Sequence, residues 1–363
     1  MTPGKDLAVD IVVNNYNYAR YLPEAIESAL AQTHERVRMI IVDDGSSDGS
    51  PELLRGYEDR ATVVLKENGG QASALNAGME RCEGDVVIFL DADDLLHPEA
   101  AARAAAAFAA EPEAVRVQSR MEVIDAAGQP TGEIKPAAHL PMPSGDMRQA
   151  ELSYPFDLPW LATSANSFRS EALRRILPIP VAEYPLSGAD WYLVHLTALL
   201  GKVVSLEEVS AFYRVHGANN YELEEDEIDL AHLRETITLS RSTKRELLRL
   251  ADELDLPHPD RILSIADLAN RMTSLKLEPD QHPIAGDGAG PLVAEAVRAA
   301  RRRANVSAPM KLMFVAWFAA MAAAPRPLAR RLATLFLFPD RRSSLNRLLG
   351  RFQRPSGNAA ASS

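Results

Sequence analysis

Short runs of apolar, β-branched residues alternate with segments of helical period through the first quarter of the chain. Val9 to Val13 reads as a buried strand that runs into the turn formers Asn14, Asn15, Tyr16 and Asn17. From Leu22 to Gln32, Leu22, Ile26, Ala29 and Leu30 recur at helical spacing, with Pro23 in the first turn where a helix tolerates it. The pattern then repeats as a strand over Val37 to Val42, a polar stretch from Asp43 to Asp48, and a helix over Pro51 to Tyr57. It repeats again as a strand at Thr62 to Leu65, a loop at Glu67 to Gln71, a helix over Ala72 to Arg81 and a strand over Asp85 to Leu90.

Such alternation predicts an α/β fold with a mainly parallel sheet sandwiched by helices. Ligands in sheets of this kind bind at the carboxyl ends of the strands. The polar clusters after Val13, Val42, Leu65 and Leu90 all fall at such ends.

Further on, the pattern predicts an alanine-rich helix over Ala100 to Ala110, strands near Val115 to Ile124, a turn at Asp125 to Gln129 and a proline-rich loop over the site at Pro136 to Pro143. A strand at Ala165 to Arg169, an apolar helix at Ala189 to Leu200 and a last strand at Lys202 to Leu206, before Ala211 to Val215, complete this part. The acidic stretch Glu222 to Asp229 reads as a boundary, and Ile228 to Leu254 and Arg261 to Leu277 read as helices. The expected organisation is a catalytic domain over 1–222, a helical extension over 223–282, a Pro/Gly-rich linker over 283–291, a basic and apolar helical tail over 292–352, and a disordered end over 353–363. No internal repeat of fixed period is visible.

Composition narrows the function. A chain of 363 residues with 47% hydrophobic content can bury a sizeable core. The single cysteine, Cys82, excludes an intramolecular disulfide and any cysteine cluster for zinc. No apolar segment of signal-peptide length precedes the first strand, so a cytoplasmic protein is expected. The net charge of −11 is unevenly placed: Arg298 to Arg354 holds 13 Lys or Arg against one acid, Asp340. An acidic body has little with which to neutralise phosphates in quantity, which argues against nucleic acid as a partner.

The chemistry concentrates at Asp91-Ala92-Asp93-Asp94. Alternation on an extended backbone would project Asp91 and Asp93 to one side. Two converging carboxylates can hold Mg²⁺ or Mn²⁺ against a substrate diphosphate. Taken alone, the same triplet reads equally well as a solvated acidic turn before a helix. Asp43 and Asp44 carry a similar ambiguity, because a strand-end Asp before Gly45 and Ser46 also makes an Asx turn. In Asn68 to Gly78, paired glycines before a helix let backbone approach a phosphate, and Asn76 reads as structural. Asp190, in the stretch Ser187 to Leu193, reads on its own as an ordinary N-cap.

Val9 to Asn17 with Tyr21, Ile40 to Asp48, Asn68 to Gly78 and Asp85 to Asp94 stand in the order and spacing of family 2 glycosyltransferases, which this chain resembles over roughly residues 7–220. The resemblance implies a GT-A nucleotide-binding fold and an inverting transfer from a nucleotide-diphosphate sugar, UDP-linked, to a hydroxyl of a glycan or lipid-linked acceptor. It places Asn15, Tyr16, Asn17, Asp44, Gly70, Asp91 and Ala92 at the donor nucleotide, with Asp44 accepting the uracil imide hydrogen. Asp91 and Asp93 become an Asp-x-Asp metal motif joined by His216, whose surroundings Tyr213 to Asn220 resemble the family's Tyr-Arg-x-His-x-x-Asn segment. Asp190 becomes the general base that takes the acceptor proton, and Asp94, Trp191 and Arg214 are further candidates. One departure is plain: Asn14-Asn15 stands where the family usually has Pro-Thr or similar, so only backbone contacts there carry over. Nucleotidyl transfer on a related fold and an inactive nucleotide-sugar scaffold are the competing readings.

Met310 to Ala324 is a near-continuous apolar run, too short for the roughly 20 residues that span a bilayer. Leu328 to Phe338 follows with Arg330 and Arg331. Apolar faces with Trp and Phe beside clustered arginines predict either an interfacial element on an anionic membrane through 298–354, at the inner face of the plasma membrane, or a helical hairpin packed on protein.

Overall fold

The computed structural model describes residues 4, 6–185, 188–217, 228–303 and 305–338. Ser187, Ala218, Asn219, Asn220, most of the acidic boundary and everything beyond Phe338 lie outside the described residues. The chain divides into two compact units.

The first unit takes in Met1–Leu152, Leu158–Glu222 and Ser242–His258. In chain order it contains β1 (Val9–Asn15), α1 (Leu22–Leu30), β2 (Val37–Asp43), α2 (Ser50–Leu54), β3 (Thr62–Leu65), α3 (Gln71–Met79), β4 (Val86–Asp91) and β5 (Leu95–Leu96). It continues with α4 (Ala100–Ala110), β6 (Ala114–Ile124), β7 (Pro130–Lys135), β8 (Gly145–Asp146), α5 (Arg148–Glu151), β9 (Asn166–Arg169), α6 (Ser170–Ile176), α7 (Ala189–Leu200) and β10 (Lys202–Arg214).

All ten strands form one sheet, ordered β3-β2-β1-β4-β9-β6-β10-β5, with β7 on β6 and β8 on β10. β1 pairs in parallel with β2 and β4, as does β2 with β3 and β6 with β10. β9 runs against both its neighbours, β4 and β6, so those two point the same way. The long strands therefore deliver their carboxyl ends to one edge. Every residue of β1 is buried, as expected of a strand covered on both faces. Its one buried acid, Asp10, is fully satisfied by Arg38 at 2.9 Å and by the amides of Glu83 at 2.7 Å and Gly84 at 2.6 Å.

Four local readings are corrected. Strand β7 was not expected, because its polar sequence with Pro130 and Gly132 is exposed along most of its length and lacks the alternation that marks a half-buried strand. The runs 202–206 and 211–215 belong to one strand, β10, in which register shifts around Val209 absorb the acidic residues Glu207 and Glu208. The helix expected over Pro51 to Tyr57 is a short α2 followed by a 3₁₀ turn at Arg55–Tyr57. The helix expected from Arg261 starts only at Ile265.

That late start has a visible cause in the second unit, which takes in Ser153–Asp157, Leu223–Arg241 and Pro259–Ser363. Asp157 accepts the amides of Ile265 at 3.0 Å and Ala266 at 2.8 Å, satisfying two of the orphan donors at the helix start. Ser264 at the N-cap and Asp267 three residues on were the local signal for this start, although the bonds that satisfy it come from Asp157. The helices are α8 (Leu230–Glu253, assigned to this unit as far as Arg241), α9 (Ile265–Leu277), α10 (Ala289–Arg302), α11 (Ala308–Ala323) and α12 (Arg326–Leu337). α10 begins inside the stretch 283–291 that was read as a linker, with Pro291 in its first turn, where it forfeits no helical hydrogen bond.

Leu268, Met272, Leu292, Ala296, Phe318, Met321, Ala329 and Ala333 form the core of this unit. Trp317 Nε1 donates to the carbonyl of Leu332 at 3.0 Å, and its ring lies 4.3 Å from that of Phe336. The aromatic residues of the tail are thus spent largely on packing α11 against α12. Leu312 (70% exposed), Leu328 (48%) and Leu335 (48%) remain on the surface. No helix among the described residues is long and apolar enough to cross a membrane.

Candidate active site

Strand register brings the first polar residues together. Asn14 stands opposite Asp91 and Asn15 opposite Asp43. Asn14 Nδ2 donates to Asp91 Oδ1 at 2.8 Å, while Asn15 Nδ2 donates to Asp43 Oδ1 at 2.6 Å and to Ser46 Oγ at 3.1 Å. Asp43 Oδ2 accepts the Ser46 amide at 3.0 Å, the Asx turn that its sequence allowed. Asn17 adopts φ 60° and takes the Ser47 amide at 2.8 Å, so the two loops after β1 and β2 are stitched side chain to backbone. Tyr16 projects from this seam, 48% exposed.

Asp44 is buried and holds the loop after β3. Its carboxylate accepts the amides of Gly69 at 3.1 Å and Gly70 at 2.7 Å, and Lys66 Nζ lies 2.5 Å away. Sequence reading missed Lys66, although a lysine directly after a strand ending at this edge was the available signal. Asn76 bonds both the amide (2.8 Å) and the carbonyl (3.0 Å) of Ile179, the work of a backbone group.

β4 ends at Asp91, and the chain then turns instead of continuing extended, with the Asp94 amide donating to the Asp91 carbonyl at 3.0 Å. The alternation argument for Asp91 and Asp93 therefore fails, yet the turn leaves the two carboxylates close enough to repel. Burial pushes the Asp91 carboxyl up to about 8, with the negative charges of Asp93 and Asp190 adding to the rise. Ala92 is buried and its amide donates to the Asn14 carbonyl at 3.1 Å. Asp94 points inward, accepts the Arg214 amide at 3.0 Å, and is pushed well up by burial and then by Asp93 and Asp91.

Arg214, at the end of β10, is held by protein groups. It is fully buried, donates from Nε to the Asp93 carbonyl at 2.8 Å and from Nη2 to Glu24 at 2.7 Å, and its guanidinium covers the Tyr21 ring at 4.9 Å. Two residues on, His216 Nε2 lies 3.0 Å from Asp93 Oδ2, with its ring 4.9 Å from Tyr21 and 5.6 Å from Tyr18. The end of β10 and the turn after β4 are thereby fastened at the Asp93 carbonyl, the Asp93 carboxylate and Asp94. Glu24, Tyr18 and the Ser164 hydroxyl, which accepts the Asp91 amide at 3.1 Å, carried no sequence signal for this site.

Asp190 lies in the first turn of α7 behind Gly188, whose φ of 80° is the left-handed conformation that glycine tolerates. Its Oδ1 accepts the Trp191 amide at 2.8 Å. Burial raises the Asp190 carboxyl, opposed by the helix amides and by His195. The charge of Asp190 also adds to the rise of the Asp91 carboxyl.

Among the described residues no group of three or more His, Cys, Asp or Glu forms a metal cage. A donor set of a few carboxylate oxygens suits a hard divalent cation whose other ligands are water and substrate phosphates.

Parallel strands feeding polar loops at one edge, with carboxylates at the end of the fourth, define a GT-A fold. Residues 10–177 match the family model described as glycosyl transferase family 2. A Nostoc sp. protein described as an uncharacterized glycosyltransferase is 36% identical over 219 residues, covering 59% of this chain and 67% of that protein. The chain belongs to glycosyltransferase family 2 and is an enzyme of that class.

TuaG of Bacillus subtilis, named for teichuronic acid biosynthesis, is 44% identical over 98 residues, which cover 26% of this chain and 38% of that protein. The chain spans only 28% of another of its first relatives, a glycosyltransferase of Rickettsia typhi, which is 43% identical over 25% of this chain. Among solved structures, S. aureus TarS 1-349 in complex with UDP-GlcNAc shares the fold with a TM-score of 0.51 at 16% identity, covering 91% of each chain. The mannosyltransferase PcManGT of Pyrobaculum calidifontis, in complex with GDP-Man and Mn²⁺, gives 0.50 at 17% identity, covering 96% of this chain and 84% of that one.

Proposed function

We propose that this enzyme transfers a sugar, with inversion, from a UDP-linked donor to a hydroxyl of an envelope glycan or lipid-linked acceptor. The observation that supports the reading is that the charge of Asp190, at the head of α7, adds to the rise of the Asp91 carboxyl, which brings a candidate base into the neighbourhood of the candidate diphosphate ligands. Asn15, Tyr16 and Asn17 line the base pocket. Asp44 orders the Gly69 and Gly70 amides and takes the uracil imide hydrogen on remaining acceptor capacity, since a carboxylate offers about four lone-pair positions. Asp91 and Asp93 would hold Mg²⁺ or Mn²⁺ through a few carboxylate oxygens, with His216 bonded to Asp93 at 3.0 Å and the donor's phosphates and water completing the shell, and the metal would neutralise charge on the leaving diphosphate. Asp190 removes the acceptor proton as the acceptor oxygen attacks the anomeric carbon, a service worth roughly 10²- to 10⁴-fold.

The donor reading draws on the UDP-GlcNAc complex of TarS, and the acceptor reading on relatives named for teichuronic acid and for transfer to undecaprenyl phosphate. The test is to incubate the enzyme with a panel of nucleotide sugars, Mn²⁺ and cell-envelope extract. Release of UDP with labelled glycan is expected, whereas release of pyrophosphate contradicts the assignment and favours nucleotidyl transfer.

The second unit serves, in the same reading, as a foot on the anionic inner leaflet. Leu312, Leu328 and Leu335 are exposed beside the exposed Arg326, Arg330 and Arg331. Co-sedimentation with anionic liposomes at low salt, lost with neutral liposomes, is the expected result. Failure to bind the anionic liposomes removes this part of the proposal.

A further inference from the structure

Behind the base lies a buried polar cluster that the reaction described above does not use. His195 follows Asp190 and Trp191 along α7, and its Nδ1 lies 2.9 Å from Glu151 Oε2, a carboxylate without exposed surface. The imidazole is wedged between two indoles, its centre 5.9 Å from Trp191 at 79° and 6.1 Å from Trp160 at 82°. On Trp160 sits the guanidinium of Arg116, 4.2 Å from the ring centre, and Arg116 Nη1 donates at 2.7 Å to the carbonyl of Val194 on α7. Burial lowers the Arg116 guanidinium to about 9, with the charge of Glu151 opposing the shift.

This cluster is costly. Arg116 Nε and Nη2, Glu151 Oε1 and Trp160 Nε1 are buried and have no hydrogen-bond partner among the described residues. Apolar side chains of the same volume would fill the space without that penalty. What the cluster does provide is orientation. Glu151 fixes the rotation of the His195 ring, that ring meets the Trp191 indole edge to face, and the Trp191 amide holds Asp190 Oδ1 at 2.8 Å.

We propose that Glu151 and His195 are positioning residues for the base, aligning Asp190 with the acceptor hydroxyl through Trp191. The proposal rests on the reading of Asp190 as the base. Alignment is the demanding part of proton removal, because a misplacement of about 1 Å can cost on the order of 10²-fold in rate.

A double-mutant cycle separates alignment from ordinary support of the fold. Glu151→Gln, which preserves shape, is made in the wild-type enzyme and in Asp190→Asn. Sugar transfer is then measured per donor-binding molecule, so that loss of folded protein does not count. We expect Glu151→Gln to lower kcat about tenfold or more in the wild-type background with donor KM within twofold, and to change kcat less than twofold once Asp190 is gone. His195→Asn, which keeps an N–H toward Glu151 but removes the ring, is expected to show the same pattern. Equal losses in both backgrounds, or wild-type kcat in either single variant, overturn the positioning role. Should Asp190→Asn itself turn over at the wild-type rate, the base assignment falls and this proposal with it. An inactive Asp190→Asn beside a fully active Glu151→Gln removes the positioning role alone.

Discussion

Asp44→Asn is the substitution whose consequence the structure specifies most closely. The buried Asp44 carboxylate accepts two glycine amides, at 3.1 Å and 2.7 Å, and pairs with Lys66 at 2.5 Å. Asparagine keeps the shape but supplies one oxygen in place of two, and its NH₂ must face an N–H or the ammonium. Hydrogen bonds to charged groups contribute about 1.5–3 kcal/mol each, and an amide left facing a donor forfeits its bond outright. The Lys66 side chain is 23% exposed, so its ammonium can turn to water and its loss counts for little. The net cost is therefore about 2–4 kcal/mol, concentrated on the loop that carries Gly69 and Gly70.

Two assays read that cost. At about 2–4 °C per kcal/mol for a unit of this size, the melting temperature should fall by about 4–16 °C. If the loop must be ordered to receive the donor, even 2 kcal/mol weakens UDP binding by about 30-fold in isothermal titration. Lys66→Ala should move both readouts much less. An Asp44→Asn protein that melts within 1 °C of wild type and binds UDP with unchanged affinity would refute the claim that this carboxylate organises the loop.

Gly78→Ala should destabilise the fold by about 1–3 kcal/mol in urea unfolding, because the added Cβ would sit 2.4 Å from Val12 Cγ1 and 3.3 Å from Val42 Cγ2, both on buried strands. The metal-free enzyme should lose stability as pH rises from about 4 towards 8. With Asp91 raised to about 8, and Asp94 and Asp190 raised as well, the folded state binds more protons than the unfolded state in that window, and deprotonating them works against the fold. Mn²⁺ should reverse the trend and release protons on binding, seen as a dependence of the apparent binding enthalpy on the buffer's ionisation enthalpy. A melting temperature that rises over this range in EDTA contradicts the electrostatics.

How much was legible in the sequence follows from the range of each interaction. The parallel half of the sheet was readable, because its strands are continuous apolar runs such as Val86 to Leu90 and polar loops lie at their ends. β7 was not readable, since it is polar and exposed and is held by pairing with β6. At the site, Asp91 and Asp190 were named from motif and resemblance, but the turn that joins Asp91 to Asp93 was misread as an extended strand. Arg214 was named only as a further candidate, and the long-range contacts to Glu24 and the Asp93 carbonyl that bury it had no local signal. Lys66 on Asp44 and Glu151 on His195 are also pairings distant in sequence, which one sequence without relatives does not display. In the tail, the sequence left Trp317 and Phe318 open between a membrane face and a packed hairpin, and both rings pack within the second unit.

The central claim is that Asp190 activates the acceptor while Asp91 and Asp93 serve the leaving group. Comparing Asp190→Asn and Asp91→Asn for UDP-sugar affinity with Mn²⁺ and for single-turnover transfer tests it most directly. The account predicts that Asp190→Asn binds donor within about threefold of wild type yet transfers roughly 10²- to 10⁴-fold more slowly, while Asp91→Asn loses both Mn²⁺-dependent donor binding and transfer. Transfer by Asp190→Asn at the wild-type rate, or Mn²⁺-dependent donor binding undiminished in Asp91→Asn, would contradict it.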